Sequence, residues 1–286
     1  MIARRCVAPM IVATLLTASA SAQTSPKPGK QPAPDRSVVF KRVGDVEVSL
    51  HLFLPEKHRA ADRRAAIVFF FGGGWVGGTP RQFYPHAREL ADSGMVAVSA
   101  EYRVRSRHGT RPIECVRDGL SAVRYLRQTA GELGIDPQRI AAGGGSAGGH
   151  VAACTGTIRN LDEPAEDADV SSRPDAMVLF NPVVDTGPRG FGHNRLGDDF
   201  TKLSPVDHVD QHVPPTIIFH GTADRTVPIE NVERFRDKMT AAGNRCELIS
   251  FDGAGHGFFN HGRADGAAYR DTVAHMKRFL ASLGYL

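Results

Sequence analysis

The chain has 286 residues, 41% of them apolar, and carries 35 basic against 31 acidic side chains for a formal net charge of +4. That apolar share fills a globular interior but is too small for a membrane-embedded bundle. The basic residues are scattered, which leaves no nucleic-acid footprint.

At the N-terminus, Arg4 and Arg5 precede an apolar run from Val7 to Leu16, followed by the small residues Ala20, Ser21 and Ala22. This is the pattern of a cleaved export signal over residues 1–22, with the mature chain starting at Gln23 in a periplasmic or extracellular setting. The run is short for a bilayer span, so no stable membrane insertion is expected. Residues 23–36 contain Pro26, Pro28, Pro32 and Pro34 and read as a linker. Residues 37–286 then form one domain, a normal length for a single large α/β unit. Export implies an oxidising compartment. Cys115, Cys154 and Cys246 permit one internal bridge at most, and a Cys115–Cys154 bridge and a pair of buried free thiols both remain open.

Past the linker, "SVVFKRVG" and "VEVSLHLFLP" alternate as the arms of a hairpin about Gly44 and Asp45. "AAIVFFF" and "MVAVSAEY" are continuous apolar runs, the mark of strands covered on both faces, with a helix expected between them over Arg81–Ser93. Ile113, Val116, Leu120, Val123 and Leu126 line one face of a helix. "RIAAGG" reads as a strand and Ala147–Arg159 as a helix. "DAMVLFNPVVD" and "PPTIIFHG" read as further strands, Val232, Phe235 and Met239 mark a helix, "CELISFDG" a strand, and Tyr269, Val273, Met276 and Leu280 a last helix. Strands alternating with amphipathic helices predict an α/β fold: a mostly parallel, doubly wound sheet with an N-terminal antiparallel hairpin. The unassigned stretch Thr186–Val213 is long enough for a short cap over a site.

Chemistry in such a sheet sits at the carboxyl ends of the strands. There, Gly144, Ser146 and Gly148 form G-x-S-x-G between a strand and a helix. The turn is so tight that side chains two residues either side of the serine would collide with the strand and helix, hence glycine at both. The helix start aims the Ala147 N–H at the place where an oxyanion would form. A hydroxyl needs a base to attack at neutral pH. "FDGAGHGF" offers His256 after the last strand, and "FHGTADRTVP" offers Asp224 to hold the imidazole. Asp252 is a rival acid on the same loop as His256. "FFFGGGWVGG" after the third strand supplies Gly73 and Gly74 as further oxyanion donors beside Ala147. The glycine turn could instead hold phosphate, but the lysine of a phosphate loop is missing. His208 and His212 have the i,i+4 spacing of metal ligands, yet no third ligand stands out and prolines follow, so no metal and no cofactor are expected.

With "FGGGW", "EYR" at Glu101–Arg103, "GGSAGG", "HGTADRTVP" and "GAGHGF" in place, the chain resembles the α/β-hydrolase superfamily from about Val38 to Leu283. It is similar to the hormone-sensitive-lipase-like esterases, and more so to secreted bacterial acetyl and feruloyl esterases. The resemblance implies the α/β-hydrolase fold and a serine esterase with Ser146, His256 and Asp224 as triad. The family often has a histidine where Phe71 stands and an acid where Gly145 stands. The polar Thr186–Val213 stretch favours small acyl groups on a soluble or polysaccharide carrier. A feruloyl esterase, a serine peptidase of prolyl-oligopeptidase type and a non-enzymatic binding protein on this fold are the alternatives. The sequence gives no oligomeric state.

Overall fold

A computed structural model describes residues 31–286; the expected export signal and the first part of the linker lie outside the described residues. Eight strands, β1 (Arg36–Val43), β2 (Val46–Phe53), β3 (Arg64–Phe70), β4 (Val96–Ala100), β5 (Ile135–Gly145), β6 (Ala176–Phe180), β7 (Thr216–Gly221) and β8 (Cys246–Phe251), form one sheet in the order β1-β2-β4-β3-β5-β6-β7-β8. β1, β2 and β4 pair antiparallel, and every pair from β4 to β8 is parallel. The linker ends at the sheet: Arg36 opens β1, and the preceding Asp35 donates its N–H to the Leu52 carbonyl and accepts from Arg88.

The helices are α1 (Tyr84–Ala91), α2 (Arg105–His108), α3 (Pro112–Gln128), α4 (Ala130–Leu133), α5 (Ala147–Thr157), α6 (His193–Leu196), α7 (Ile229–Ala241) and α8 (Ala267–Ser282). They cover both faces of the sheet. Along β3, Ala66, Val68 and Phe70 belong to the core under α3, α5 and α7, while Ile67 and Phe69 belong to the core under α1 and α8. This alternation is why the sequence of β3 is apolar at consecutive positions instead of every second one. Every residue of α5 is buried. Its small side chains follow from that position: a Cβ on Gly148 would overlap the carbonyl oxygens of Phe70 and Phe71, and one on Gly149 would lie 2.9 Å from the Pro182 Cβ.

The elements expected from the sequence all form, with shifted bounds: β6 stops at Phe180, short of the expected Asp185, and α5 at Thr157, short of Arg159. β5 starts at Ile135, before the apolar run, because Ile135 pairs with Arg64 ahead of a register shift. Helix α1 starts at Tyr84, after a 3-10 turn over Pro80–Phe83 that places Phe83 in the core. The bridge left open between Cys115 and Cys154 is absent, and both thiols are free and buried. Although α3 and α5 are neighbours, Cys115 Sγ donates to the Arg103 carbonyl at 3.1 Å while Cys154 Sγ lies 3.4 Å from His150 Nε2. Among the described residues no helix is long and apolar enough to cross a membrane.

Candidate active site

The site starts with backbone geometry. β5 ends at Gly145, α5 begins at Ala147, and Ser146 joins them at φ 54°, ψ −119°. That left-handed conformation is costly for a residue with a Cβ and persists only where packing enforces it. The enforcement is visible. A Cβ on Gly144 would lie 2.5 Å from the Gly148 carbonyl oxygen, so strand and helix meet without room for a side chain. The Ser146 N–H donates to the Phe180 carbonyl at 2.9 Å, and its own carbonyl accepts from His150. The hydroxyl is left at the carboxyl edge of the sheet.

His256 comes from the loop after β8. Its Nε2 lies 2.9 Å from Ser146 Oγ, and its Nδ1 lies 2.7 Å from Asp224 Oδ2. The other Asp224 oxygen accepts the N–H groups of Thr226 at 2.8 Å and Val227 at 3.0 Å. Burial pushes the Asp224 carboxyl up, but the bonds from His256, Val227 and Thr226 outweigh it and hold the group below its ordinary range. An ionised Asp224 on Nδ1 fixes the tautomer that leaves Nε2 free to accept from the serine. The rival Asp252 sits elsewhere, accepting from Thr222 Oγ1 at 3.1 Å. His208 is bound to the Thr201 carbonyl at 2.9 Å, and the described residues hold no group of three or more metal-type ligands.

The glycine loop after β3 turns on itself, with the Gly73 carbonyl accepting from the N–H groups of Val76 and Gly77. Gly73 takes φ 132° and Gly74 φ 62°, conformations that glycine adopts without penalty. Among the described residues neither of their N–H groups has an acceptor, and the Ala147 N–H at the start of α5 has none either. The neighbouring Gly72 N–H is taken by Gln82 Oε1 at 2.6 Å.

Trp75, within "FFFGGGWVGG", is expected from the sequence to pin this loop; sequence reading missed its partner and the other residues that hold it. Tyr102 donates its hydroxyl to the Phe71 carbonyl at 2.6 Å, and its ring stacks on Phe71 with centroids 4.2 Å apart. Phe71 thus meets Tyr102 at the position where relatives often carry histidine. Trp75 donates Nε1–H to His150 Nδ1 at 3.2 Å, and His150 in turn donates Nε2–H to the Leu203 carbonyl at 2.7 Å. His150 therefore ties the glycine loop, α5 and the Thr186–Val213 segment together. Burial lowers its pKa from 6.5 to about 4, so it stays neutral. Gly145 has a cause as well: a Cβ there would meet the Phe259 ring at 2.5 Å, so the acid that the resembled family often has there would have to displace that ring. His220, at the end of β7, is fully buried and donates to the Val227 carbonyl, bracing the loop that carries Asp224. Asn181 Oδ1 accepts the Gly257 N–H at 2.9 Å and anchors the loop of His256. The hints in the sequence were Trp75, "EYR" and His150 just after "GGSAGG", and none named a partner.

The Thr186–Val213 segment is less polar in place than in sequence. Leu196, Leu203, Val206 and Val213 are buried in the core, and Phe191 packs 6.0 Å from Trp75. Arg195 reaches the glycine loop, donating to the Gly74 carbonyl at 3.2 Å.

Comparison with known proteins agrees with this architecture. The BD-FAE family model matches residues 50–192 and the prolyl oligopeptidase family model residues 180–282. Carboxylesterase NlhH of Mycobacterium tuberculosis is 29% identical over 86% of this chain and 82% of its own length. Esterase LipC of the same organism is 29% identical over 67% of this chain, which spans only about half of LipC (52%). The apo form of Thermogutta terrifontis esterase 2 superposes with a TM-score of 0.86 at 48% identity, covering 90% of this chain and 97% of that one. The same esterase has also been solved phosphorylated by paraoxon. The chain belongs to the carboxylesterases of the α/β-hydrolase superfamily.

Proposed function

We propose that the protein is an exported serine esterase that removes short, acetyl-type acyl groups from a carbohydrate carrier. The observation that carries the proposal is the relay Ser146 Oγ–His256 Nε2 at 2.9 Å and His256 Nδ1–Asp224 at 2.7 Å. In this reading Ser146 attacks the ester carbonyl as His256 takes its proton. The N–H groups of Gly73, Gly74 and Ala147 hold the oxyanion, each worth about 3 kcal/mol in the transition state. His256 then protonates the departing alcohol and activates the water that frees the acid, while Asp224 stays ionised.

Short acyl groups are supported by Thermogutta terrifontis esterase 2, which has been solved with propionate and with butyrate bound. A carbohydrate carrier is supported by similarity to Endo-1,4-beta-xylanase B of Butyrivibrio fibrisolvens, 27% identical over 64% of this chain but only 30% of that protein. Export rests on Arg4 and Arg5, the apolar run and Ala20-Ser21-Ala22. A second reading, a serine peptidase, is favoured by the prolyl oligopeptidase match over residues 180–282, the part that carries Asp224 and His256.

The test is one panel. Wild type should label with a fluorophosphonate and hydrolyse nitrophenyl acetate faster than the decanoate. Ser146→Ala should stay folded and lose at least about a thousand-fold in kcat, along with the label. Full activity in Ser146→Ala would remove the triad assignment, and a faster rate on decanoate the short-chain one. Feruloyl-sugar and prolyl-peptide substrates in the same panel decide between the ester and peptide readings.

A further inference from the structure

Three arginines gather beside the glycine loop. A cavity of about 230 Å³ opens there, lined among others by Gly74, Trp75, Arg105, Thr110, Arg111 and Arg195, and none of its lining residues is acidic. The three arginines come from separate segments: Arg105 from α2, Arg111 from the residue that caps α3, and Arg195 from α6. Arg111 is already engaged, bound to Glu114 at 3.2 Å and 3.6 Å from Asp199. Arg105 and Arg195 have no carboxylate partner among the described residues. Arg195 is nevertheless held, by the Gly74 carbonyl and by the Phe191 ring 5.3 Å beneath its guanidinium. The turn carrying Arg105 is latched to the glycine loop, with the N–H groups of Arg105 and Ser106 donating to the carbonyls of Trp75 and Val76. Thr110 Oγ1, a further polar atom of the lining, has no partner.

Two guanidinium groups with no carboxylate partner, that of Arg195 held in place, favour an anion, and their planar forks suit a carboxylate. The cavity and the reaction centre share Gly74, whose free N–H belongs to the oxyanion loop. We propose that this cavity is a substrate subsite that binds a carboxylate on the alcohol part of the ester, as in an acylated sugar chain carrying uronic acids. The inference rests on the esterase reading above and deepens it. An acetyl-type acyl group carries no charge of its own, so the carboxylate belongs to the alcohol.

The experiment compares kcat/KM for phenyl acetate and its charged twin para-acetoxybenzoate, by release of acetate, in wild type, Arg105→Gln, Arg105→Glu and Arg195→Gln. Arg105 is exposed and its backbone bond to Trp75 survives substitution, so the two Arg105 variants should keep the wild-type melting temperature. Wild type is expected to favour the charged ester by about five-fold at low ionic strength, and to lose that preference near ~1 M salt. The neutral variants should lose it at low salt, and Arg105→Glu should invert it. A wild-type ratio at or below one overturns the subsite. So does a ratio that Arg105→Glu and Arg195→Gln leave unchanged. A preference for monomethyl succinate over methyl butanoate would move the carboxylate to the acyl side and overturn the alcohol assignment. If phenyl acetate itself is not turned over, the esterase reading fails and the subsite falls with it.

Discussion

Single residues around Ser146 show how little slack the site has. Gly144 and Gly148 are glycine because a side chain at either would enter backbone of the adjoining element. Gly145 is different in kind, since its space is filled by a movable ring, Phe259, rather than by backbone. Gly145→Asp should therefore fold but at a cost of about 1–3 kcal/mol, the usual penalty of overpacking. A thermal melt checks this, and an unchanged melting temperature would show that Phe259 moves aside freely. The sequence revealed the two obligatory glycines, because their reason is local. It could not reveal the reason for Gly145, because Phe259 lies more than a hundred positions away.

At the scale of elements, the glycine loop leaves an interior strand of the sheet and is held from three sides. Tyr102 reaches it from the end of β4, Gln82 from the turn before α1, and His150 from the second turn of α5. The "EYR" segment divides its work. Glu101 accepts the Ser49 N–H, Tyr102 supports the loop, and Arg103 forms a buried pair with Asp118 of α3 at 2.7 Å. Tyr102→Phe removes the bond to the Phe71 carbonyl while keeping the ring stack. It should cost about 1–2 kcal/mol of stability. If that tether orders the oxyanion donors, kcat should fall with KM nearly constant, because the lost interaction acts in the transition state. A change confined to the melting temperature would mean that the remaining tethers suffice to order the loop.

Across the whole molecule, the two cores on either face of the sheet enclose histidines that do no chemistry. His86 is buried among Phe69, Phe83, Phe180, Phe259 and Tyr269, and neither ring nitrogen has a partner among the described residues. Burial lowers its pKa from 6.5 to about 3, and burial lowers that of His150 to about 4. Unfolded, each ring takes up a proton near 6.5; folded, it resists until far lower. The folded protein thus binds fewer protons over that interval. The stability involved is complete above pH 6.5 and falls as acid is added, by about 1.4 kcal/mol per pH unit for each group. Melting temperature should decline steadily from pH 6.5 to 4.5, and His86→Phe should flatten the decline while raising stability at neutral pH. A flat wild-type profile, or an unaltered slope in His86→Phe, would contradict this account.

What the sequence determined by itself is whatever rests on near neighbours along the chain: apolar runs that become strands, three-and-four spacing that becomes helices, and glycines two residues either side of Ser146 that permit a sharp bend. The order Ser146, Asp224, His256 was legible for the same reason, each residue standing just past a strand whose carboxyl end is a place for chemistry. Only the tertiary structure decided the crossing of β3 and β4, the free state of Cys115 and Cys154, the bridge through His150 and the gathering of Arg105 with Arg195. Each of these depends on segments far apart in sequence, whose meeting is fixed by burial and hydrogen bonding across the sheet and leaves no periodic mark in the chain.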